Sequence, residues 1–349
     1  MAPEILFRHY LYFSSVSAAM VQHFAAYATH VRERFVAPGA LVVEVGSNDG
    51  ILLRAFSGHD VRILGVDPAV NVAEQARQNG VPTLAEFFGE PVAHSIVAEH
   101  GRAAVIIGNN VFAHIDDLHS VMRGIDALLA EDGVLVLEFP YVVTLLEGLE
   151  FDTVYHEHVS YLGTRPLAHL FARYGMEIFE VGDQDVHGGS VRVFARRRGG
   201  RPGAIDPSVA LHDERERAAG IDDPVRLARF ATEVASLRDE LRRVLAEITG
   251  RGQRVVGYTA PAKGTVLLNY CGLDASQVAY LADATPAKQG RYVPGVRIPI
   301  RTPEHFRADQ PDYALLLAWN HEREIVEKEA AFRAAGGKFI VAVPRVRIV

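Results

Sequence analysis

The densest group of reactive side chains in the chain is Tyr155-His156-Glu157-His158, inside EFDTVYHEHVSYL. An imidazole titrates near neutral pH, and a neighbouring carboxylate orients it and keeps it basic, which is what removing a proton from carbon requires. Histidines two residues apart share a face only on a strand, whereas a zinc-binding HExxH places them four apart on a helix. The spacing therefore points to acid-base work, and no metal is expected. His114, in NNVFAHIDDLHSV, is a further imidazole without an obvious local partner.

A second group lies in LVVEVGSNDGILLRAF, residues 41–56. The apolar run Leu41, Val42, Val43 and Val45 reads as a parallel strand covered on both faces. Gly46 then turns the chain, Gly50 permits a close approach, and Ser47, Asn48 and Asp49 offer capping oxygens to an amphipathic helix. A dinucleotide site wants a third glycine, so that a diphosphate can lie on bare helix amides. Here Glu44 and Asp49 bring negative charge instead. Such a turn suits a cationic ligand without phosphate, and S-adenosylmethionine (SAM), with an ammonium, a sulfonium and a ribose, fits. An NAD-dependent dehydrogenase is disfavoured on the same ground.

The elements that must position these residues follow from periodicity. Residues 61–69 read as a second strand ending in Asp67, where a doubly wound sheet places a partner for ribose hydroxyls. A helix over 70–79 and a short strand over 81–84 lead to Glu86, Phe87 and Phe88, whose rings offer a flat surface to an adenine. Residues 103–108 form a buried strand with Asn109, Asn110 and His114 past its carboxyl end, the side on which open α/β sheets bind ligands. A helix over 118–129, the strand GVLVLEFP closed by Pro140, and an antiparallel pair over 177–181 and 190–196 complete a seven-stranded Rossmann-like methyltransferase sheet. The YHEH tetrad falls after its fifth strand.

In front of the sheet, residues 1–36 read as a helical segment or lid, with Met20, Phe24, Tyr27 and Val31 at helical spacing and Tyr10 and Tyr12 ahead of a serine cap. The Gly-, Pro- and Arg-rich stretch 199–207 marks a boundary. The expected division is a lid over 1–36, a SAM domain over 37–199, a linker and long helix over 200–251, and a smaller Rossmann-like α/β domain over 252–349. In that domain, strands are expected over 254–258, 278–282, 313–317 and 338–343, and a helix over 322–335. Lys263, in TAPAKG, enters a helix where backbone amides and an ammonium converge, a geometry suited to a diphosphate. Lys288, Arg291 and Asn320 are candidates to join it. The turn His187-Gly188-Gly189-Ser190 reads equally as a sugar contact or a plain hairpin turn.

Composition narrows the classes. A chain of 349 residues has room for two cores, and 49% hydrophobic with 23% charged residues is globular. The net charge of −7 argues against an extended nucleic-acid or anionic-membrane surface. Cys271 is the single cysteine, so an intrachain disulfide and a multi-cysteine zinc site are excluded. With neither an apolar run long enough to span a bilayer nor a signal-like start, the expectation is a cytoplasmic protein. It is expected to be a monomer or weak dimer.

EVGSNDGILL, NNVFAHIDDLHSV, YHEHVSYL, HGGSVRV, GYTAPAKGTVLLNYCG and DATPAKQGRYVPG, in this order, resemble the SAM-dependent sugar C-methyltransferases that act on nucleotide-linked 4-keto-deoxyhexoses in antibiotic pathways. The likeness runs from FSSVS to the last strand. It implies a SAM domain and a C-terminal domain that holds the nucleotide of the sugar, a dTDP-sugar on the resemblance. It also implies a four-cysteine zinc module ahead of both; this chain begins where that module would end. On the resemblance, His158 is the general base, Glu157, Tyr155 and His114 assist it, and Tyr12 lines the sugar. A ketone at C4 acidifies the proton on C3, and methylation of C3 is the expected outcome. Methylation of a non-sugar small molecule is the alternative. A non-catalytic binding subunit would have no use for the Glu157-His158 pair.

Overall fold

A computed structural model describes residues 2–10, 13–16, 18–186, 188–201 and 203–349, and for residues 16, 18 and 19 the backbone only. The chain falls into two compact units. One comprises the residues up to Val142 together with His156–Ala218; the other comprises Val143–Tyr155 and Ala219–Val349.

The first unit is built on seven strands: β1 (Leu41–Val45), β2 (Arg62–Val66), β3 (Thr83–Leu84), β4 (Ala103–Asn109), β5 (Leu129–Pro140), β6 (Met176–Gln184) and β7 (Ser190–Arg197). They lie in the order β3-β2-β1-β4-β5-β7-β6. β1 to β5 run parallel, and β7 enters antiparallel between β5 and β6. Every residue of β1 is buried, as its unbroken apolar run requires. The order reverses between β1 and β4, so their carboxyl ends border the crevice where such sheets take ligands.

Helix Ala18–Phe35 covers one face of this sheet. Met20, Phe24, Tyr27 and Val31, expected to share a face, are all buried there. A side chain of that size contributes about 1.5–3 kcal/mol when fully buried. The stretch 200–251, expected to hold a linker and one helix, contains two helices, Pro207–Ala219 and Pro224–Gly250. The first has no apolar stripe for periodicity to reveal. A buried carboxylate fastens it instead: Glu216 accepts bonds from the Thr164 hydroxyl at 2.8 Å and the Arg165 amide at 2.9 Å, capping helix Thr164–Ala172.

The second unit carries β8 (Val255–Tyr258), β9 (Leu281–Ala282), β10 (Ile300–Arg301), β11 (Tyr313–Leu316), β12 (Lys338–Val341) and β13 (Arg347–Ile348). Their order is β10-β9-β8-β11-β12-β13, parallel except for the last. This sheet also reverses order at its centre, between β8 and β11. The expected helix over 322–335 is broken into Glu322–Lys328 and Ala330–Ala334. At the break, buried Glu329 accepts bonds from Tyr258 Oη at 2.6 Å and from Arg307 Nε at 3.0 Å and Nη2 at 2.6 Å. Helix Pro224–Gly250 buries Val234, Leu237, Leu241, Leu245 and Ile248, whereas Leu227 near its start is exposed.

Candidate active site

Gly46 (φ +70°) and Gly50 (φ +78°) both occupy the left-handed region, which side chains disfavour. A Cβ on Gly46 would lie 2.9 Å from Val111, and one on Gly50 would lie 2.7 Å from Val81, so both glycines are required by the protein's own packing. The helix after the turn is a single turn, Ile51–Arg54, shorter than the amphipathic helix expected.

Around this turn, buried polar atoms lack partners among the described residues: Glu44 Oε2, Ser47 Oγ, Asp49 Oδ1, Asn109 Oδ1 and Asn110 Oδ1. Leaving such atoms unpaired costs roughly 1–3 kcal/mol each, so a ligand that satisfies them is expected. Four of the five are acceptor-only oxygens. A phosphate cannot donate to them, whereas an ammonium and ribose hydroxyls can. Burial holds Glu44 well above the ordinary carboxylate range; a 3.1 Å bond from Asn109 opposes this and the charges of Asp67 and Asp49 add to it. A cation placed here would relieve that cost. The donor set fits SAM.

Asp67, at the end of β2, accepts the amides of Asn48 and Ala69, each at 2.9 Å, and burial raises its pKa. Of the two aromatics expected to meet an adenine, Phe87 lies 5.0 Å from the Arg8 guanidinium, and Phe88 packs against Gly124.

The sequence-predicted imidazole and the tetrad do converge. His114, past the carboxyl end of β4, and His158 meet edge to face, with ring centroids 4.9 Å apart. The amides of Val159 and Ser160 both bond to the Ala113 carbonyl, at 2.8 and 3.2 Å, which fixes the backbone beside His158. His158 is half-buried and His156 exposed. Burial pushes His114 down to about 4, helped by His158 nearby and opposed by the backbone of Glu157 and Asn110. His114 is therefore a neutral imidazole near pH 7. Tyr155, the first residue of the tetrad, falls in the second unit.

The segment ahead of helix Ala18–Phe35 contributes more than sequence reasoning anticipated. Phe7 meets the His114 ring edge-on at 5.5 Å, and Tyr10 Oη donates to Glu157 at 3.3 Å. Asn48 accepts the Ser14 amide at 2.9 Å, and Asp49 accepts the Ser15 amide at 3.3 Å. Tyr10 thus touches the tetrad, and Ser14 and Ser15 touch the donor turn. Tyr12 and His187 lie outside the described residues.

Also missed was an ionic cluster behind the donor turn. Glu138, at the end of β5 and in register with Asn109, is bonded by His23 Nε2 at 2.7 Å and by Arg192 Nε and Nη2 at 2.9 and 2.6 Å. The guanidinium lies 3.4 Å from the centre of the Tyr27 ring. Burial alone would raise Glu138; the bonds from His23 and Arg192 outweigh it and hold the carboxyl below its usual range.

In the second unit, Lys263 begins helix Ala262–Cys271 but is buried, its ammonium 4.2 Å from the centre of the Trp319 ring and bonded to Asn320 Oδ1. Expected to face a diphosphate, it feels the charges of Asp152 and Glu150, which oppose the lowering of its pKa by burial. Lys288 donates to the Ala260 carbonyl at 2.9 Å, and Arg291 is exposed. Among the described residues no three metal-ligating side chains gather, and no helix is long and apolar enough to cross a membrane.

An open sheet in this strand order, with an antiparallel seventh strand and an acidic, phosphate-averse donor turn, defines a SAM-dependent methyltransferase. Residues 20–181 match the model of a methyltransferase domain, and residues 185–344 match that of a C-methyltransferase C-terminal domain. C-methyltransferase NovU of Streptomyces niveus is 41% identical over 352 residues, covering 99% of this chain and 83% of that protein. The chain belongs to this C-methyltransferase family. Among solved structures, magnesium protoporphyrin IX methyltransferase of Synechocystis with bound SAH is 15% identical, over 51% of this chain and 82% of that one, with a TM-score of 0.39. CcbJ methyltransferase of Streptomyces caelestis is 13% identical over 50% and 89%, with a TM-score of 0.40.

The low pKa of His114 has a consequence for stability. The unfolded chain takes up this proton near 6.5 and the folded chain only near 4, so the unfolded state binds more protons between those values. Folding stability should therefore fall as pH drops from 6.5 to 4, by at most about 3 kcal/mol from this group. Urea midpoints measured across that range should decline less steeply in His114→Gln than in the wild type.

Proposed function

We propose that this C-methyltransferase alkylates the carbon next to a ketone on a nucleotide-linked sugar, a thymidine diphosphate 4-keto-deoxyhexose methylated at C3, with His158 as the base. The observation that carries the reading is the edge-to-face His114 and His158 pair, in the same unit and beyond the same strand ends as the donor turn. Glu44, Asn48, Asp49, Asp67, Asn109 and Asn110 would hold SAM, with Phe87 and Phe88 beside its adenine. When bound, SAM supplies a methyl carbon made electrophilic by its sulfonium.

The ketone at C4 lowers the cost of losing the C3 proton, and His158 takes that proton while the electron pair spreads onto the ketone oxygen. A donor aimed at that oxygen stabilises the charge as it develops. His114, neutral, has no charge of its own to repel the imidazolium forming on His158, and its single N–H, now engaged by the backbone of Glu157 and Asn110, would turn to that oxygen only by giving up this bond. Tyr155 and Tyr12 are the other candidate donors. Glu157, held by Tyr10, places negative charge next to that imidazolium in sequence.

For the second unit we assign the nucleotide to the crevice where its strand order reverses. Supporting this are the loop that ends at Ala260, with Lys288 bonded to it, and the exposed Arg291. The test is incubation with methyl-labelled SAM and a panel of thymidine and uridine diphosphate sugars with and without a 4-keto group. Label is expected in the keto sugars alone. Label appearing only in a sugar-free enolisable acid would replace the substrate class proposed.

A further inference from the structure

Residues 8–10 belong to neither helix nor strand, yet three bonds fix their backbone to the start of helix Val70–Gln78, just past Asp67. Ala69, at that helix's N-cap, has no side-chain oxygen to offer the open amides of the first turn. The Arg8 carbonyl takes one of them, accepting from the Val70 amide at 3.1 Å. The Asn71 carboxamide then spans residue 10. Its Oδ1 accepts the Tyr10 amide at 3.1 Å, and its Nδ2 donates to the Tyr10 carbonyl at 2.8 Å. An exchange of both backbone bonds is what a paired strand would supply, made here by one side chain. Arg8 adds a tie of its own, Nη1 donating to the Ala85 carbonyl at 2.9 Å.

The clamped stretch carries the two rings that reach the catalytic groups, Phe7 against His114 and Tyr10 against Glu157. Asn71, Tyr10, Glu157 and both imidazoles lie in the same unit. The Tyr10 Oη bond to Glu157, at 3.3 Å, is longer than an O–H···O bond usually is, and such a bond is lost when its donor shifts by a fraction of an ångström. With the backbone of residue 10 fixed on both sides, the phenol keeps only its two side-chain torsions. Whether the hydroxyl reaches Glu157 therefore depends on where Asn71 puts that backbone.

We propose that Asn71 is a positioning residue for the reaction: its carboxamide sets residue 10 so that the Tyr10 hydroxyl donates to Glu157, the carboxylate next to the base. Asn71 itself touches no reacting atom. The inference rests on the reading of His158 as the base with Glu157 assisting it, but the clamp is testable without that reading.

Asn71→Ala removes both bonds to residue 10. In the full chain, the amide of residue 10 should then exchange its hydrogen about tenfold faster. With a thymidine diphosphate 4-keto-6-deoxyhexose as probe, kcat should fall about tenfold in Asn71→Ala and about tenfold in Tyr10→Phe, with KM and the affinity for S-adenosylhomocysteine moving less than about twofold. The double variant should lose no more than either single one, because both changes act through one bond. Asn71→Asp, which keeps the size and the acceptor and loses the Nδ2 donor, completes the same cycle if Asn71→Ala does not fold. Unaltered exchange at residue 10 overturns the clamp, as do losses that multiply to about a hundredfold in the double variant. So does an Asn71→Ala enzyme with normal kcat and weakened S-adenosylhomocysteine, the behaviour of a residue that binds the donor directly. If exchange and the cycle come out as expected while His158→Ala turns over normally, the clamp stands and the base reading fails.

Discussion

Alanine in place of His158 is expected to slow methyl transfer by about a thousandfold, the middle of the 10²–10⁴ range that a positioned base supplies. The loss should appear in kcat. The atoms proposed to hold the donor lie on β1, β2 and β4 and the residues directly after them, so S-adenosylhomocysteine should bind as before. The decisive measurement leaves the donor out. In deuterated water the wild type should exchange the acceptor's C3 proton without SAM, and His158→Ala should not. Exchange at the wild-type rate in the variant would take the base role away from His158, whatever happens to methyl transfer. His114→Ala should behave differently. A neutral imidazole that donates to the developing oxyanion is worth roughly 2.7–4 kcal/mol if it is the principal donor, and less where tyrosines share the task. Exchange in that variant should be slowed without being abolished.

The parts of this site that are local in sequence are legible there, and the parts made by long-range pairing are not. The donor turn announces itself because the need for glycine at positions 46 and 50 is a property of a few consecutive residues, and the apolar run of β1 is periodic. The convergence of His114 with the tetrad is also legible, because a doubly wound sheet collects everything past its strand ends on one side. Lys263 reads as a phosphate ligand because a lysine entering a helix after a loop looks like one; nothing nearby in sequence says that Asp152 and Glu150, on a distant segment, act on its charge. Glu216 fails for the same reason, since a helix fastened by a carboxylate has no apolar stripe. For Glu138 and Arg192 a signal was present. Each is a charge inside an otherwise apolar strand, in LVLEFP and SVRVFA, and a buried charge demands a partner. With the two strands adjacent, the pairing could have been read.

That pairing sets the largest stability effect expected in the first unit. Among the described residues, Glu138→Ala leaves the buried Arg192 guanidinium beside the Tyr27 ring and His23, and breaking a buried pair in this way costs about 3–5 kcal/mol. The effect should depend on pH with a definite sign. Glu138 titrates below its unfolded value, so its contribution is present above the ordinary carboxylate pKa and fades as pH falls through the lower, folded one. The wild type and Glu138→Ala should therefore differ most near neutrality and converge in acid. Charge rather than packing is the cause only if removing the partner compensates. Arg192→Met combined with Glu138→Ala should recover much of the loss, because the orphaned cation is gone and an apolar chain of similar length fills its place on Tyr27. Equal destabilisation of the single and double variants in urea would mean that volume, not charge, fixes this cluster. The donor site should register the single change as well. The Glu138 carbonyl accepts the Asn110 amide at 2.7 Å, and its Cα faces Asn109 across the ladder, so the loop past β4 rests on this residue. Weaker binding of S-adenosylhomocysteine in Glu138→Ala, restored in the double variant, would tie the buried pair to the geometry of the donor turn.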